Sequence, residues 1–406
     1  MSKRRNAVAL PSTYLRCRRT PAGVFELTTD YQDATSEVLD VVAGGLDLSF
    51  LISNRIGPEI MKDFSKIALI FPGQGSQYYG MGRDLYETSP AAKRVFDKAN
   101  EILGYNLCHL CFEKDEKISM EKFKAWLERM GDRFHLDFIS RLGPKILDQT
   151  RYSQPAIFTT SVACFEAFRE RLNEKGIAFD FYVAAGHSIG EYVALYAAEA
   201  IGLEEGVRMV KARGEFMQDC GEEIGNGGLL SILSREKIGD IDVICKSSAV
   251  YTALYNTDFQ IVVGGYDENL KNARRVAEQM GLKAIPLRVS GPFHTYLMKP
   301  AGEKMAAFLK KMNIQLARRP IIANTSSRGV VDPEHIIEEL VIQIYNPILW
   351  KASVEKMSAM GVEVFIEVGP GKVLSGMISK IVPNAKILNI EDKASLEQTV
   401  QELSAL

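Results

Sequence analysis

The residues best suited to chemistry lie in Phe181-Tyr-Val-Ala-Ala-Gly-His-Ser-Ile-Gly-Glu-Tyr192, where Ser188 sits in the pattern Gly186-His187-Ser188-Ile189-Gly190. This is G-x-S-x-G, with a β-prone apolar run ending at Gly186 and a helical pattern over 189–200 beginning at once. A serine on such a strand–turn–helix corner is a nucleophile elbow. Glycines flank it because the turn is too tight for a Cβ beside the backbone of the nucleophile. The helix start offers free N–H groups to negative charge developing next to the Ser188 oxygen. The same pattern also occurs in ordinary turns, so the motif needs partners.

A serine hydroxyl is a poor nucleophile at neutral pH and requires a base within hydrogen-bond reach. The chain has five histidines: His109, His135, His187, His294 and His335. His187 precedes the serine and should point to the opposite side of the elbow, and His109, His135 and His335 sit in polar or inserted segments. His294 follows a strand pattern in the loop Ser290-Gly-Pro-Phe-His294 and is the candidate base by elimination. Arg213 shares an apolar helical stripe with Met209, Val210, Phe216 and Met217, which turns its guanidinium inward. A cation there needs an anionic partner. That partner is either a protein acid such as Glu191 or the free carboxylate of a substrate delivered to Ser188.

The elements that must position these residues alternate between strands and helices. Ile67-Ala-Leu-Ile-Phe71 reads as a buried strand running into the Gly-rich loop Pro72-Gly-Gln-Gly-Ser-Gln77. That loop is neither a P-loop nor a dinucleotide fingerprint, and the glycines around Gln74 leave its backbone N–H accessible to an oxyanion. Helices are expected over 84–103, from Tyr152 (with Pro155 near the first turn) to about 173, and over 203–219. After Cys220 the order becomes β-α-β-β-α-β, with strands near 229–233, 249–255, 260–263 and 283–288, which is the ferredoxin-like order. Asn256-Thr-Asp258 is the turn signal between its middle strands. Further strands are expected at 321–324 and 362–367, with helices at 300–312, at 333–345, from Trp350 and after Gly369-Pro-Gly371. Short Gly/Pro turns between such elements argue for a mostly parallel sheet covered on both faces. The expected fold class is α/β. Residues 66–220 and 290–406 form the large subdomain, 221–289 the small inserted one, 113–146 an amphipathic helical insertion and 1–65 an extension.

The 406 residues suffice for one large core or two to three modest domains, and a net charge of −2 gives no global reason to expect nucleic acid or an anionic membrane as partner. The six cysteines sit mostly in apolar patterns, as reduced thiols do in a cytoplasmic enzyme. Cys108-His-Leu-Cys111 has metal-like spacing but lacks a second pair of ligands, so no metal is expected. Residues 1–25 carry six cations and no acid; they read as a solvated terminus, with an organelle transit segment or a carrier-docking arm as alternatives. One or two short helices are expected between 31 and 64.

The ordered motifs Phe71-Pro-Gly-Gln-Gly-Ser-Gln77, Tyr152-Ser-Gln-Pro155, Gly186-His-Ser-Ile-Gly-Glu191, Arg213-Gly-Glu-Phe-Met217, Asn256 with Gln260-Ile-Val-Val-Gly264, Gly291-Pro-Phe-His294 and Glu367-Val-Gly-Pro-Gly371 resemble malonyl-CoA:acyl carrier protein transacylases and the acyltransferase domains of fatty acid and polyketide synthases. The resemblance covers about 66–385. It implies an α/β-hydrolase-like core with a ferredoxin-like insert. It also implies malonyl transfer from CoA to the phosphopantetheine thiol of an acyl carrier protein through an acyl-serine, with no cofactor, by a monomer. Ser188 and His294 would be nucleophile and base, Gln74 and Ile189 the oxyanion-hole N–H pair, and Arg213 the clamp on the malonyl carboxylate. Gln343 would hold His294 by its backbone carbonyl, giving a Ser–His dyad, and Asn256 would line the pocket. Phe293 would crowd an α-methyl branch, a discrimination of about 1–3 kcal/mol. Residues 1–65 and 113–146 have no counterpart in the family pattern. The rival reading is a hydrolase that clears acyl groups from carrier proteins; it would keep Ser188 and His294 without needing Arg213.

Overall fold

The computed structural model describes residues 15–19, 25–29, 66–113, 146–287 and 289–404. The protein divides into two units, Met1–Met61 and Lys62–Leu406. In the first, β1 (Leu15–Arg19) pairs antiparallel with β2 (Phe25–Thr29). Residues 15–19, within the terminus expected for 1–25, thus form a paired strand. In β2 the phenylalanine and the two threonines are β-favouring residue types. The helices expected within 31–64 and the insertion at 113–146 lie outside the described residues, apart from Glu113 and Ile146 at the insertion's ends.

In the second unit, the apolar runs at β3 (Ile67–Phe71) and β4 (Val183–Gly186) are buried along their whole length. They pair in parallel at the middle of a six-stranded sheet. Such uninterrupted burial is what a parallel strand with helices on both faces requires. The polypeptide then forms a separate four-stranded antiparallel sheet from β5 (Gly227–Leu233), β6 (Tyr251–Thr257), β7 (Gln260–Tyr266) and β8 (Lys283–Pro286). Its spatial order is β6-β7-β5-β8, and helices Asp242–Ser248 and Asp267–Gln279 lie in sequence between the outer pairs. It has its own small apolar core around Leu230, Ile232, Ile244 and Val263. The hairpin turn lies at Asp258 and Phe259, which places Asn256 inside β6 rather than in the turn.

The large sheet is completed by β9 (Ile321–Ile322), β10 (Gly329–Val330), β11 (Val364–Val368) and β12 (Lys386–Ile390), in the order β10-β9-β4-β3-β11-β12. Every pairing is parallel except that of the edge strand β10 with β9. Neither β12 nor the closing helix Lys393–Ser404 is among the elements expected from sequence. Two helix boundaries also differ from expectation. The run over 84–103 breaks into Arg83–Thr88 and Pro90–Leu103, because Pro90 takes the first helical position and the Ser89 hydroxyl caps it by accepting from the Ala92 N–H. The helix expected to open at Tyr152 instead begins at Thr150 and carries Pro155 inside it, running to Glu174. Among the described residues no helix is long and apolar enough to cross a membrane.

Candidate active site

The site forms at the carboxyl ends of β3, β4 and β9, where loops of a parallel sheet converge. The turn after β4 is too close to its surroundings for side chains. A Cβ on Gly186 would lie 1.9 Å from the carbonyl carbon of Gly190, and one on Gly190 would lie 2.1 Å from the Phe71 carbonyl oxygen. Between them Ser188 has φ of 52°, in the left-handed region that a non-glycine residue holds only when its surroundings force it. Asn324 supplies that force. Its Oδ1 accepts the Ser188 N–H at 2.8 Å and its Nδ2 donates to the Gly186 carbonyl at 2.7 Å, which pins both sides of the turn.

Ser188 Oγ lies 2.8 Å from His294 Nε2. On the other side of the ring, Nδ1 lies 2.7 Å from the Gln343 backbone carbonyl. A carbonyl can only accept, so Nδ1 carries the proton and Nε2 is left free to accept one from the serine. His294 also has a left-handed φ, of 59°. Burial, seconded by the nearby Arg213 charge, lowers its pKa from 6.5 to about 3 against the opposing pull of the Gln343 carbonyl. The imidazole is therefore neutral at physiological pH.

Arg213 is completely buried on the helix Leu203–Ile224. Its Nη2 donates to Ser188 Oγ at 3.0 Å and to Gln343 Oε1 at 2.8 Å, and its Nε and Nη1 have no hydrogen-bond partner. The guanidinium carbon lies 5.5 Å from the centre of the Tyr192 ring. Among the described residues no carboxylate makes an ion pair with it, so Glu191 is not its direct partner. Glu191 instead accepts from Gln343 Nε2, which also donates to the Ser188 carbonyl at 3.1 Å and faces Asn324 Oδ1 at 3.3 Å. Burial pushes the Glu191 carboxyl up to about 8, partly offset by the Gln343 hydrogen bond and the Arg213 charge.

The glycine-rich loop after β3 lies directly against the elbow, since a Cβ on Gly73 would come within 2.5 Å of the His187 carbonyl oxygen. Gln74 borders a cavity of about 410 Å³ together with His187, Leu254, Asn256, Val289 and Met377, and its side-chain amide donates to Thr150 Oγ1 at 3.2 Å. Ile189 is buried and leads into the helix Gly190–Ala197, putting its backbone at the helix start. Asn256 reaches the imidazole of His187, at 3.0 Å from Nε2, rather than the serine. His187, expected on the far side of the elbow, borders this cavity and packs edge-on to Trp350, with ring centres 5.6 Å apart. Phe293 is buried in the main core next to His294. His109 and His335 pair with Glu113 and Asp332 at the surface, and His135 lies outside the described residues.

Ser188, His294, Arg213 and Gln343 are thus in mutual contact, while Gln74, Asn256 and His187 border the adjoining cavity. Asn324 and the Gln343 side-chain amide join the site only in three dimensions and are not singled out from sequence as members of it, while Glu191, considered from sequence as a partner of Arg213, joins it through Gln343 instead. One signal for Asn324 exists: it is a polar residue closing an apolar strand pattern at the end where parallel sheets place their ligands.

The sequence matches the family model described as the acyl transferase domain over residues 68–398. It is 39% identical over 345 residues to the malonyl CoA-acyl carrier protein transacylase of Bacillus subtilis (strain 168), covering 84% of this chain and 98% of that protein. Its fold superposes on the crystal structure of the malonyl CoA-acyl carrier protein transacylase from Clostridium perfringens with TM-score 0.70 and 34% identity, covering 84% of this chain and 98% of that one. A second solved structure, a type II PKS acyl-carrier protein in complex with its malonyl-transacylase, matches with TM-score 0.71 and 32% identity over 83% of this chain and 99% of that one.

Proposed function

The protein belongs to the acyl transferase domain family, and from that premise we propose that it transfers a malonyl group from coenzyme A to the phosphopantetheine thiol of an acyl carrier protein through an acyl-serine. His294 Nε2 takes the Ser188 proton as Oγ attacks the thioester carbonyl. The tetrahedral oxyanion is held by the backbone N–H groups of Gln74 and Ile189, and losing one such donor costs about 2.7–4 kcal/mol of barrier. The C–S bond breaks, and the imidazolium returns its proton to the leaving CoA thiolate. The carrier thiol then attacks the malonyl ester, with the same histidine as base, and Ser188 Oγ leaves as the alcohol. The Gln343 carbonyl fixes the imidazole tautomer throughout, taking the place a carboxylate holds in a Ser–His–Asp triad.

The observation that carries the acyl choice is the buried Arg213 guanidinium, which touches Ser188 Oγ and keeps two N–H-bearing nitrogens without partners. Its planar fork suits a carboxylate bidentately, and a malonyl group esterified to Ser188 brings one within reach. A hydrolase clearing neutral acyl groups would have no use for that charge. The cavity beside Gln74 and His187 is the candidate seat of the pantetheine arm. The β-α-β-β-α-β unit that forms one wall of it through Leu254, Asn256 and Val262 is read as the ferredoxin-like subdomain. Free, mostly buried thiols suit a reducing, cytoplasmic setting.

Mass spectrometry after mixing with malonyl-CoA is expected to find a malonyl adduct on Ser188. Arg213→Ala should lower malonyl loading at least about a hundredfold while changing acetyl loading less than about threefold, as loss of a charge-assisted pair at one acyl end implies. Equal losses for the two acyl groups would reassign Arg213 to a structural part.

A further inference from the structure

Glu191 is the acid coupled to the acyl clamp. Its carboxyl is 2% exposed, accepts from Gln343 Nε2, and is separated from Arg213 by that one amide, whose Oε1 accepts from Arg213 Nη2 at 2.8 Å. The amide cannot turn over without setting its oxygen against the Ser188 carbonyl and the Glu191 carboxyl and its nitrogen against a guanidinium that only donates. Gln343 is therefore a fixed bridge between one buried acid and one buried cation. Before substrate arrives, Glu191 exchanges its proton near pH 8, and its ionised form partly balances the Arg213 charge. A malonyl group on Ser188 brings a carboxylate directly to that guanidinium, and a further anion one amide away in a dry site is then pushed towards its neutral form.

We propose that Glu191 is a proton-accepting positioning residue of the acyl clamp, taking up a proton from solvent when an anionic acyl group occupies Arg213 and so linking recognition of that acyl group to proton uptake. The inference rests on the malonyl reading above. The step balances as one proton from water or buffer added to a Glu191 carboxylate oxygen, with no bond to the substrate changed. The charged and polar groups around Glu191 are Arg213 from the helix Leu203–Ile224, Glu339 from the helix Pro333–Ile342, the Gln343 amide, the Asn324 backbone N–H and its neighbour Tyr192. Glu339 opposes ionisation of Glu191; Arg213 and the hydrogen bonds favour it. Burial already holds the carboxyl near 8 in the free protein, so linkage is visible just above neutrality.

The test compares the full-length protein with Glu191→Gln, reading KM for malonyl-CoA between pH 7 and 9. The wild type should show KM rising by about fivefold or more across that range as Glu191 ionises and competes for Arg213. The rise should fall below about twofold in Glu191→Gln, which has no proton to exchange. Calorimetry of the wild type in two buffers of different ionisation enthalpy provides a reading that needs no variant. Malonyl-CoA at pH 8.5 should draw up to about one proton per site, and acetyl-CoA none. The same pH dependence in both proteins, or equal proton uptake with the two thioesters, overturns the inference. A wild type that forms no malonyl-Ser188 at pH 7 removes the underlying function instead, so the two failures are told apart.

Discussion

At the level of single residues, the chemistry rests on the protonation state of one buried imidazole. A histidine at its ordinary pKa of 6.5 would lose half its base form at that pH, whereas burial and the Arg213 charge hold His294 near 3. The acid limb of kcat/KM for malonyl-CoA should therefore lack a midpoint between pH 5.5 and 7, and a single such midpoint would mean that the free enzyme's imidazole is more hydrated than the fold allows. The sign for stability follows from the same displacement. Between about 3 and 6.5 the unfolded state holds a proton that the folded state refuses, so His294 weakens the fold as pH falls through that window. Glu191 acts oppositely: its raised pKa of about 8 weakens the fold as pH rises from 4.5 towards that value. Ser188, His294 and Arg213 are legible in sequence because each carries a local mark: a glycine-flanked turn, a loop after a strand, and a cation on an apolar stripe. Asn324 is marked only by closing an apolar strand pattern and Glu191 only by its place in the elbow motif, and neither mark tells which group each one holds. Their partners are remote in sequence, 138 residues from Asn324 to Gly186 and 152 from Glu191 to Gln343, and only the fold supplies them.

At the level of elements, the elbow is a three-body contact between the β3 loop, the β4 turn and the helix that follows. Gly190 sits where a methyl group would strike the backbone of Phe71 at 2.1 Å, and a backbone atom in a buried central strand cannot rotate aside. Gly190→Ala should therefore lower stability by about 2–4 kcal/mol, the range of severe overpacking, and abolish loading of Ser188. An unchanged urea midpoint would mean that β3 and β4 can part locally. The same elements show where sequence patterns lose resolution. Pro90 and Pro155 are identical signals, yet Pro90 starts a helix and Pro155 rides inside one. Ser89 offers a capping hydroxyl before Pro90, whereas the helix around Pro155 is buried over nearly all of its first three turns, and burial outweighs one lost backbone bond. The strand β12 escapes a reading by pattern because Lys386-Ile-Leu-Asn-Ile390 is interrupted by polar residues and only partly buried, acquiring its identity by pairing in parallel with β11.

For the whole molecule, Ser188, His294, Arg213, Gln343 and Asn324 all belong to the unit Lys62–Leu406, whose bounds contain the family match at 68–398. The hairpin β1–β2 belongs to the other unit. A fragment of residues 62–406 should fold and load malonyl onto Ser188 with kcat/KM within about twofold of the full protein, as expected for separable domains. A larger loss would show that the first unit contributes to the catalytic fold. The α/β class and the mostly parallel sheet can be read from alternating apolar runs and short Gly/Pro turns, since burial on both faces leaves strands without polar positions. Strand order cannot be read this way. The backbone passes from β3 to β4 and β9 on one side, then returns to lay β11 against the other, a choice set by tertiary packing.

The anchor of the imidazole is a peptide oxygen, and this changes what heredity can do to it. Every amino acid that could replace the residue at 343 brings the same peptide carbonyl, so no missense change there deletes the acceptor outright. Short of truncation, inherited damage to this half of the relay comes as a backbone pushed out of place, through insertion, deletion or a lesion in packing. A hydroxyl at 188 and a ring at 294 have no such immunity: one altered base can erase either.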